Sequence, residues 1–163
     1  MFSPIFWIDE SSAGRMAIAP RPRGGDWLED EIRGWRSANV STVVSALTRE
    51  EETELQLEQE RALCAANGLQ FLSCPIPDRQ VPSSDPTGFE LIARIRAALA
   101  LGPVLVHCRM GIGRSGMLTA GVLVAQGLSA AEAFRAISRA RGLDVPDTAE
   151  QVQWVEAFER NRK

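Results

Sequence analysis

The chain has 163 residues, 45% of them hydrophobic and 24% charged, the composition of a folded protein with room for one sizeable core. A net charge of −3 gives no global pull toward nucleic acid or an anionic bilayer, so an anion site has to be local. The apolar stretch Met1–Ile8 is too short for a signal peptide, and the longest apolar runs, around Met117–Ala125, fall well short of the ~20 residues that span a bilayer. Three cysteines (Cys64, Cys74, Cys108) without CxxC or His-rich spacing point away from zinc and toward a reduced, cytoplasmic setting.

Along the chain, Phe6–Ile8 and Met16–Ile18 read as short strands of an edge hairpin turning around Ser11–Gly14. Asp26 and Glu29 have capping-box spacing and predict a helix start, with Leu28, Ile32 and Trp35 as the buried stripe. The β-branched run Ser41–Leu47 predicts a strand. Thr48 and Glu51 repeat the capping-box spacing, and an acidic helix is expected from there to Gly68, which suits a left-handed C-terminal cap. Leu69–Cys74 is the next strand. Four prolines between Pro75 and Pro86 predict a long, restrained loop. Asp85-Pro86 then opens a helix that turns Ile92, Ile95 and Leu99 inward and ends at Gly102.

Pro103–Cys108 is apolar enough for a strand buried on both faces. An apolar helix is expected over Arg114–Gln126, and two more begin at the Ser129/Glu132 and Asp147/Glu150 signals. This alternation predicts one α/β domain over residues 1–163, with a mainly parallel central sheet flanked by helices in three layers.

The chemistry concentrates in Val106-His107-Cys108-Arg109-Met110-Gly111-Ile112-Gly113-Arg114-Ser115-Gly116. A buried strand ends at a cysteine, a short glycine-containing loop follows, and an arginine opens a helix. That order lets successive backbone N–H groups converge on an anion. Gly111 and Gly113 are expected to supply positive φ angles and close backbone approach. Arg114 can grip two oxygens of one phosphoryl group through its planar fork. The substrate-binding set is therefore Arg109, Met110, Gly111, Ile112, Gly113 and Arg114, arranged around Cys108.

A helix N-terminus contributes only ~0.3–2 kcal/mol to a nearby anion. Lowering a thiol pKa by about 3 units needs roughly 4 kcal/mol. Several N–H donors, the Arg114 charge and the Ser115 hydroxyl have to share the task. His107 is the one histidine and neighbours Cys108 at a strand end, so it projects to the opposite face. That disfavours a Cys–His hydrolase and makes His107 a structural support under the loop.

His107-Cys108-x-x-Gly111-x-x-Arg114-Ser115 resembles in full the signature of the protein tyrosine phosphatase superfamily. Chain size and motif order resemble its small dual-specificity branch, including the cyclin-dependent-kinase-associated and related bacterial phosphatases. Pro75-Ile-Pro-Asp78, upstream of Cys108, is similar to the mobile loop that bears the family's general acid. Val145-Pro-Asp-Thr-Ala-Glu-Gln151 resembles the segment that packs beside the active site. The likeness runs from about Ser41 to Phe158.

It implies the family's three-layer fold and hydrolysis of phosphate monoesters through a phosphocysteine on Cys108. Arg114 and the backbone of residues 109–114 are then expected to stabilise the equatorial oxygens. Asp78 is expected to protonate the leaving group, and Ser115 to assist thiolate departure. The resemblance implies no metal and no other cofactor. The expected partners are phosphorylated proteins or peptides and phosphate- or vanadate-type oxyanions, with neither nucleic acid nor membrane.

Bland readings stand beside several of these. Asp78 also suits a turn, and Ser115 a helix start. Gln151 either orients a water or is a solvated polar residue, and Arg109 either lines the pocket rim or faces solvent. Arg21 and Arg23 either contact an acidic substrate or belong to a solvated turn. Cys74 is either a disulfide partner for Cys108 or, like Cys64, a buried thiol. With no tyrosine in the chain, the deep phosphotyrosine pocket of the large family members is not expected, and a shallower site for phosphotyrosine and phosphoserine/threonine is favoured. The alternatives are a phosphoinositide or inositol phosphatase on the same scaffold, a rhodanese-like sulfurtransferase, and a catalytically weak phosphate-binding module.

Overall fold

The computed structural model describes residues 2–8, 15–83 and 87–162. A five-stranded sheet runs in the order β1-β2-β5-β3-β4. The strands are β1 (Phe6–Ile8), β2 (Met16–Ala19), β3 (Thr42–Ser45), β4 (Gln70–Ser73) and β5 (Val104–His107). β1 pairs antiparallel with β2, and every other pairing is parallel. The edge hairpin forms as expected; its turn, and the Asp85-Pro86 helix start, lie outside the described residues.

Side-chain alternation along the strands divides the interior into two cores. Met16, Ile18, Val44, Val104 and Val106 face α4 (Thr87–Leu99), α5 (Arg114–Ala125), α6 (Ala130–Arg141) and α7 (Ala149–Asn161). Ala17, Ala19, Val43 and Leu105 face the other way, against α1 (Leu28–Ser37) and α3 (Glu60–Ala66). The result is the expected three-layer α/β arrangement. β5, at the sheet's centre, is buried along its whole length. Leu28, Ile32 and Trp35 form the buried stripe of α1, and Ile92, Ile95 and Leu99 that of α4.

Three helix boundaries differ from the sequence expectation. No capping box forms at Asp26. Gly25, at φ +60°, donates its N–H to Gln56 O, and residues Gly25–Trp27 wind into a 3-10 turn that runs straight into α1, leaving no break for a side-chain cap. The acidic helix expected from Thr48 to Gly68 is two helices, α2 (Arg49–Glu54) and α3. Its Thr48/Glu51 capping box is present, and Gly68 takes the expected left-handed conformation at φ +79°. Gln56 (φ +59°) breaks the run, so that Leu57 is buried and Glu60 reaches the end of β5. The cap of α7 pairs Thr148 with Gln151, one residue beyond the expected Asp147/Glu150, whereas the Ser129/Glu132 box of α6 forms as read.

The parallel strands align Ala19, His107, Ser45 and Ser73 at their C-terminal ends. The next residues, Pro20, Cys108, Ala46 and Cys74, therefore share one rim of the sheet, where α/β folds place ligands. Among the described residues no helix is long and apolar enough to cross a membrane.

Candidate active site

Cys108 leaves β5 at the centre of that rim and is 3% exposed. Its Sγ lies 3.2 Å from Ser115 Oγ in the first turn of α5. The loop between them bends at Gly111 (φ +72°), where a Cβ would stand 2.6 Å from Ala19 C and Pro20 N, so only glycine fits both the angle and the space. Gly113 differs from expectation. Its φ is −77°, open to any residue, and a Cβ there would lie 2.6 Å from Asp147 Oδ2 and 3.1 Å from Gln151 Oε1, so those side-chain ends would have to shift. Met110 is exposed at the tip of the loop and Ile112 is half-buried.

Arg114 opens α5 and is 1% exposed, which requires compensation of its charge. Nη1 donates to Glu51 Oε1 (2.6 Å) and to Ile76 O (2.8 Å), and Nη2 donates to Glu51 Oε2 (2.9 Å). Nη2 also stands 3.1 Å from Asp78 Oδ1. The remaining donor, Nε, is buried without a partner among the described residues. Burial alone would push the guanidinium's pKa down, but the Glu51 hydrogen bonds and the charges of Cys108, Glu51 and Asp78 push it above the ordinary arginine value. For Glu51, burial works to raise the pKa. The Arg114 hydrogen bonds, the Thr48 N–H, the Arg114 charge and the Thr48 hydroxyl overcome it and bring the carboxyl down to about 2.

Glu51 is the residue that sequence reading passed over. Its capping box marked a helix start, and the same carboxylate clamps the loop arginine from the first turn of α2. Glu60 was missed for a similar reason, since it sat inside an expected continuous helix. Its Oε2 is 2.6 Å from His107 Nε2, while His107 Nδ1 faces Cys108 O at 3.4 Å. Both ring nitrogens thus face oxygen atoms. His107 is fully buried, with Nε2 on Glu60.

Asp78 reaches the site from the loop after β4, and its side chain is 54% exposed. Gln151 is neither solvated nor directed only at a water position. It is fully buried, its Oε1 accepts from the backbone N–H groups of Asp147 and Thr148, and its Nε2 donates to Gln80 O in the Asp78 loop. Arg109 turns to α2 and pairs with Glu54 (3.1 Å) and Glu51 (3.4 Å). Arg23 is bound to Glu31 at 2.8 Å and lies over the Trp27 ring. Arg21 joins the loop through its backbone N–H, which donates to Arg109 O.

The other thiols stand apart. Burial, reinforced by Glu60, pushes Cys64 up to about 12, and burial pushes Cys74 up to about 11 against a small opposing pull from Arg94. Ala46 separates Cys74 from Cys108 along the rim, and two strand spacings put their Cα atoms ~9–10 Å apart. A disulfide tolerates about 7 Å at most. Among the described residues no group of three or more His, Cys, Asp or Glu is placed to hold a metal ion.

Glu51 titrates near 2 in the folded chain against an ordinary 4.5, so its stabilisation is present above pH 4.5 and is lost as the pH falls through 2. Glu51→Gln should therefore cost roughly 3 kcal/mol at pH 7. In denaturant melts the gap to the parent chain should close between pH 4.5 and 2, and a gap constant across that window would remove Glu51 as the anion holding Arg114. Gly111→Ala should cost about 1–2 kcal/mol from its backbone angle alone and displace the loop, which calorimetry would register as lost binding of inorganic phosphate.

The family described as Tc-R-P, a DSP-PTPase phosphatase of polymorphic toxin systems, matches residues 18–128. No curated protein sequence matches the chain. Among solved structures, the kinase-associated phosphatase KAP, with its catalytic cysteine replaced by serine, superposes with a TM-score of 0.86 at 18% identity, covering 98% of this chain and 96% of that one. Tk-PTP in its active form gives 0.72 at 26% identity, with 96% of each chain covered. PTPMT1 in complex with PI(5)P gives 0.69 at 20% identity, covering 90% and 91%. The matched segment contains β5, the whole cysteine-to-arginine loop and the Asp78 loop, and on that ground the chain belongs to the DSP-PTPase phosphatase family of polymorphic toxin systems and is a cysteine-dependent phosphatase.

Proposed function

We propose that the chain hydrolyses phosphotyrosine, and also phosphoserine or phosphothreonine, in proteins or peptides, with residues 1–163 acting as one phosphatase domain. The reading rests on one observation above all. A buried sulfur, a loop turned around Gly111 and an Arg114 Nε buried without a partner among the described residues come together around the N-terminus of α5, a setting that suits an oxyanion.

In the first step the Cys108 thiolate attacks phosphorus in line, forming the S–P bond as the ester P–O bond breaks. Arg114 Nε and the backbone N–H groups of residues 109–114 hold the equatorial oxygens. Asp78, beside Arg114 Nη2, gives its proton to the departing oxygen. In the second step Asp78 takes a proton from water as that water attacks phosphorus, and the sulfur leaves as thiolate. Ser115 Oγ, at 3.2 Å, donates to it. Phosphate and vanadate occupy the same cradle. His107 acts from beneath through the Cys108 carbonyl.

The phosphoinositide alternative finds less support in the loop. Its one basic side chain between Cys108 and Arg114 is Arg109, and that charge is engaged by Glu54 and Glu51. The PI(5)P in the PTPMT1 complex belongs to a protein that shares this fold at 20% identity.

Cys108→Ser should abolish hydrolysis of an aryl phosphate, by at least about a thousandfold, and vanadate should inhibit the parent enzyme competitively. Full activity in the serine variant would refute the mechanism. Asp78→Asn should slow alkyl phosphates by about a hundredfold or more and aryl phosphates with good leaving groups much less. Equal slowing across a leaving-group series would take the acid role away from Asp78. Turnover of phosphopeptides measured beside phosphoinositide vesicles decides between the two substrate classes.

A further inference from the structure

In a trans peptide the carbonyl and the following N–H point in opposite directions, so a carbonyl fastened to the outside of a loop aims the next N–H inward. Four successive carbonyls of the cysteine loop are fastened in this way. His107 Nδ1 faces Cys108 O at 3.4 Å, and the Arg21 N–H donates to Arg109 O at 3.1 Å. Arg141 supplies the other two: Nη2 donates to Met110 O at 3.2 Å and Nε to Gly111 O at 3.1 Å. The N–H groups of residues 110–112 are thereby turned away from these partners.

Arg141 is the last residue of α6 and lies beyond residues 18–128, the segment matched by the family. Its guanidinium is itself held in place, centred 4.3 Å over the Phe6 ring of β1, which also lies outside that segment. A charged donor bonds a carbonyl more strongly than a neutral one. The rigid fork presents two donors to adjacent carbonyls in a fixed geometry, which the single nitrogen of an ammonium group does not preset.

We propose that Arg141 is a positioning residue of the oxyanion cradle: by fastening the Met110 and Gly111 carbonyls outward, it aims the Gly111 and Ile112 N–H groups at the bound oxyanion. This rests on the cradle reading above, with orthovanadate as the probe. Arg141 touches neither the sulfur nor the oxyanion, so its effect appears as affinity for the anion.

The test compares the parent chain with Arg141→Met and Arg141→Lys by vanadate calorimetry, aryl phosphate kinetics and thermal melting. Arg141→Met should weaken vanadate binding about tenfold, the loss expected from two charge-assisted hydrogen bonds acting indirectly. kcat/KM should fall in parallel. Arg141→Lys keeps a cation near Phe6 but not the fork, and should fall between the two. A lowered melting temperature with an unchanged vanadate Kd would make Arg141 a strut of α6 only and overturn the proposal. If Arg141→Met does not fold, Arg141→Lys decides: parent-like affinity overturns the proposal, and weakening of about threefold or more upholds it. A parent chain that binds vanadate without hydrolysing phosphate esters would sink the hydrolytic mechanism while leaving this comparison valid.

Discussion

A guanidinium buried to 1% exposure stays charged only with an anion against it, and much of this site is arranged around meeting that demand for Arg114. Glu51 takes both terminal nitrogens, Ile76 O adds an acceptor, and Asp78 lies against the outer edge. The pairing determines where α2 begins, because the carboxylate that clamps Arg114 also closes the capping box on Thr48. It also leaves Nε as the guanidinium donor without a partner among the described residues, since Nη1 and Nη2 are engaged by protein. A buried charge pair of this kind adds little net stability over an apolar substitute, yet it fixes geometry, which is what phosphoryl transfer needs.

The loop's own shape comes from packing on all sides. The Ala19 and Pro20 backbone at the end of β2 leaves no room for a Cβ at Gly111, and the Asp147 and Gln151 side chains close on Gly113. Glu60 holds His107 beneath, Arg21 holds Arg109 O at one flank, and Arg141 holds two carbonyls at the other. Gln151, whose Oε1 accepts from the Asp147 and Thr148 N–H groups, donates to Gln80 O, so a buried amide ties the start of α7 to the Asp78 loop. The cradle therefore depends on residues from Phe6 to Gln151, a wider span than the signature itself.

Much of the local structure was legible in the sequence because it is written in short-range chemistry. The apolar run Val104–His107, the glycines after it and the arginine at a helix start describe strand, loop and anion site within a dozen residues. The boxes at Thr48/Glu51 and Ser129/Glu132 formed as read because each closes within one turn. The failures came where a distant partner outbids a local signal. Asp26 lost its cap role because Gly25 is bonded to Gln56 across the fold, and the acidic helix broke because burying Leu57 and bringing Glu60 to His107 required a turn at Gln56.

The signature points to one sulfur, one arginine and one loop for the proposed chemistry, since five restricted residue types at fixed spacing admit few other uses. The residues that hold them are set by the folded arrangement. Glu51, Glu60, Gln151 and Arg141 act across 63, 47, 71 and about 30 residues respectively. Contacts at such separations leave no periodicity or spacing to read, because they come into being when parallel strands align their ends and the helices close over them.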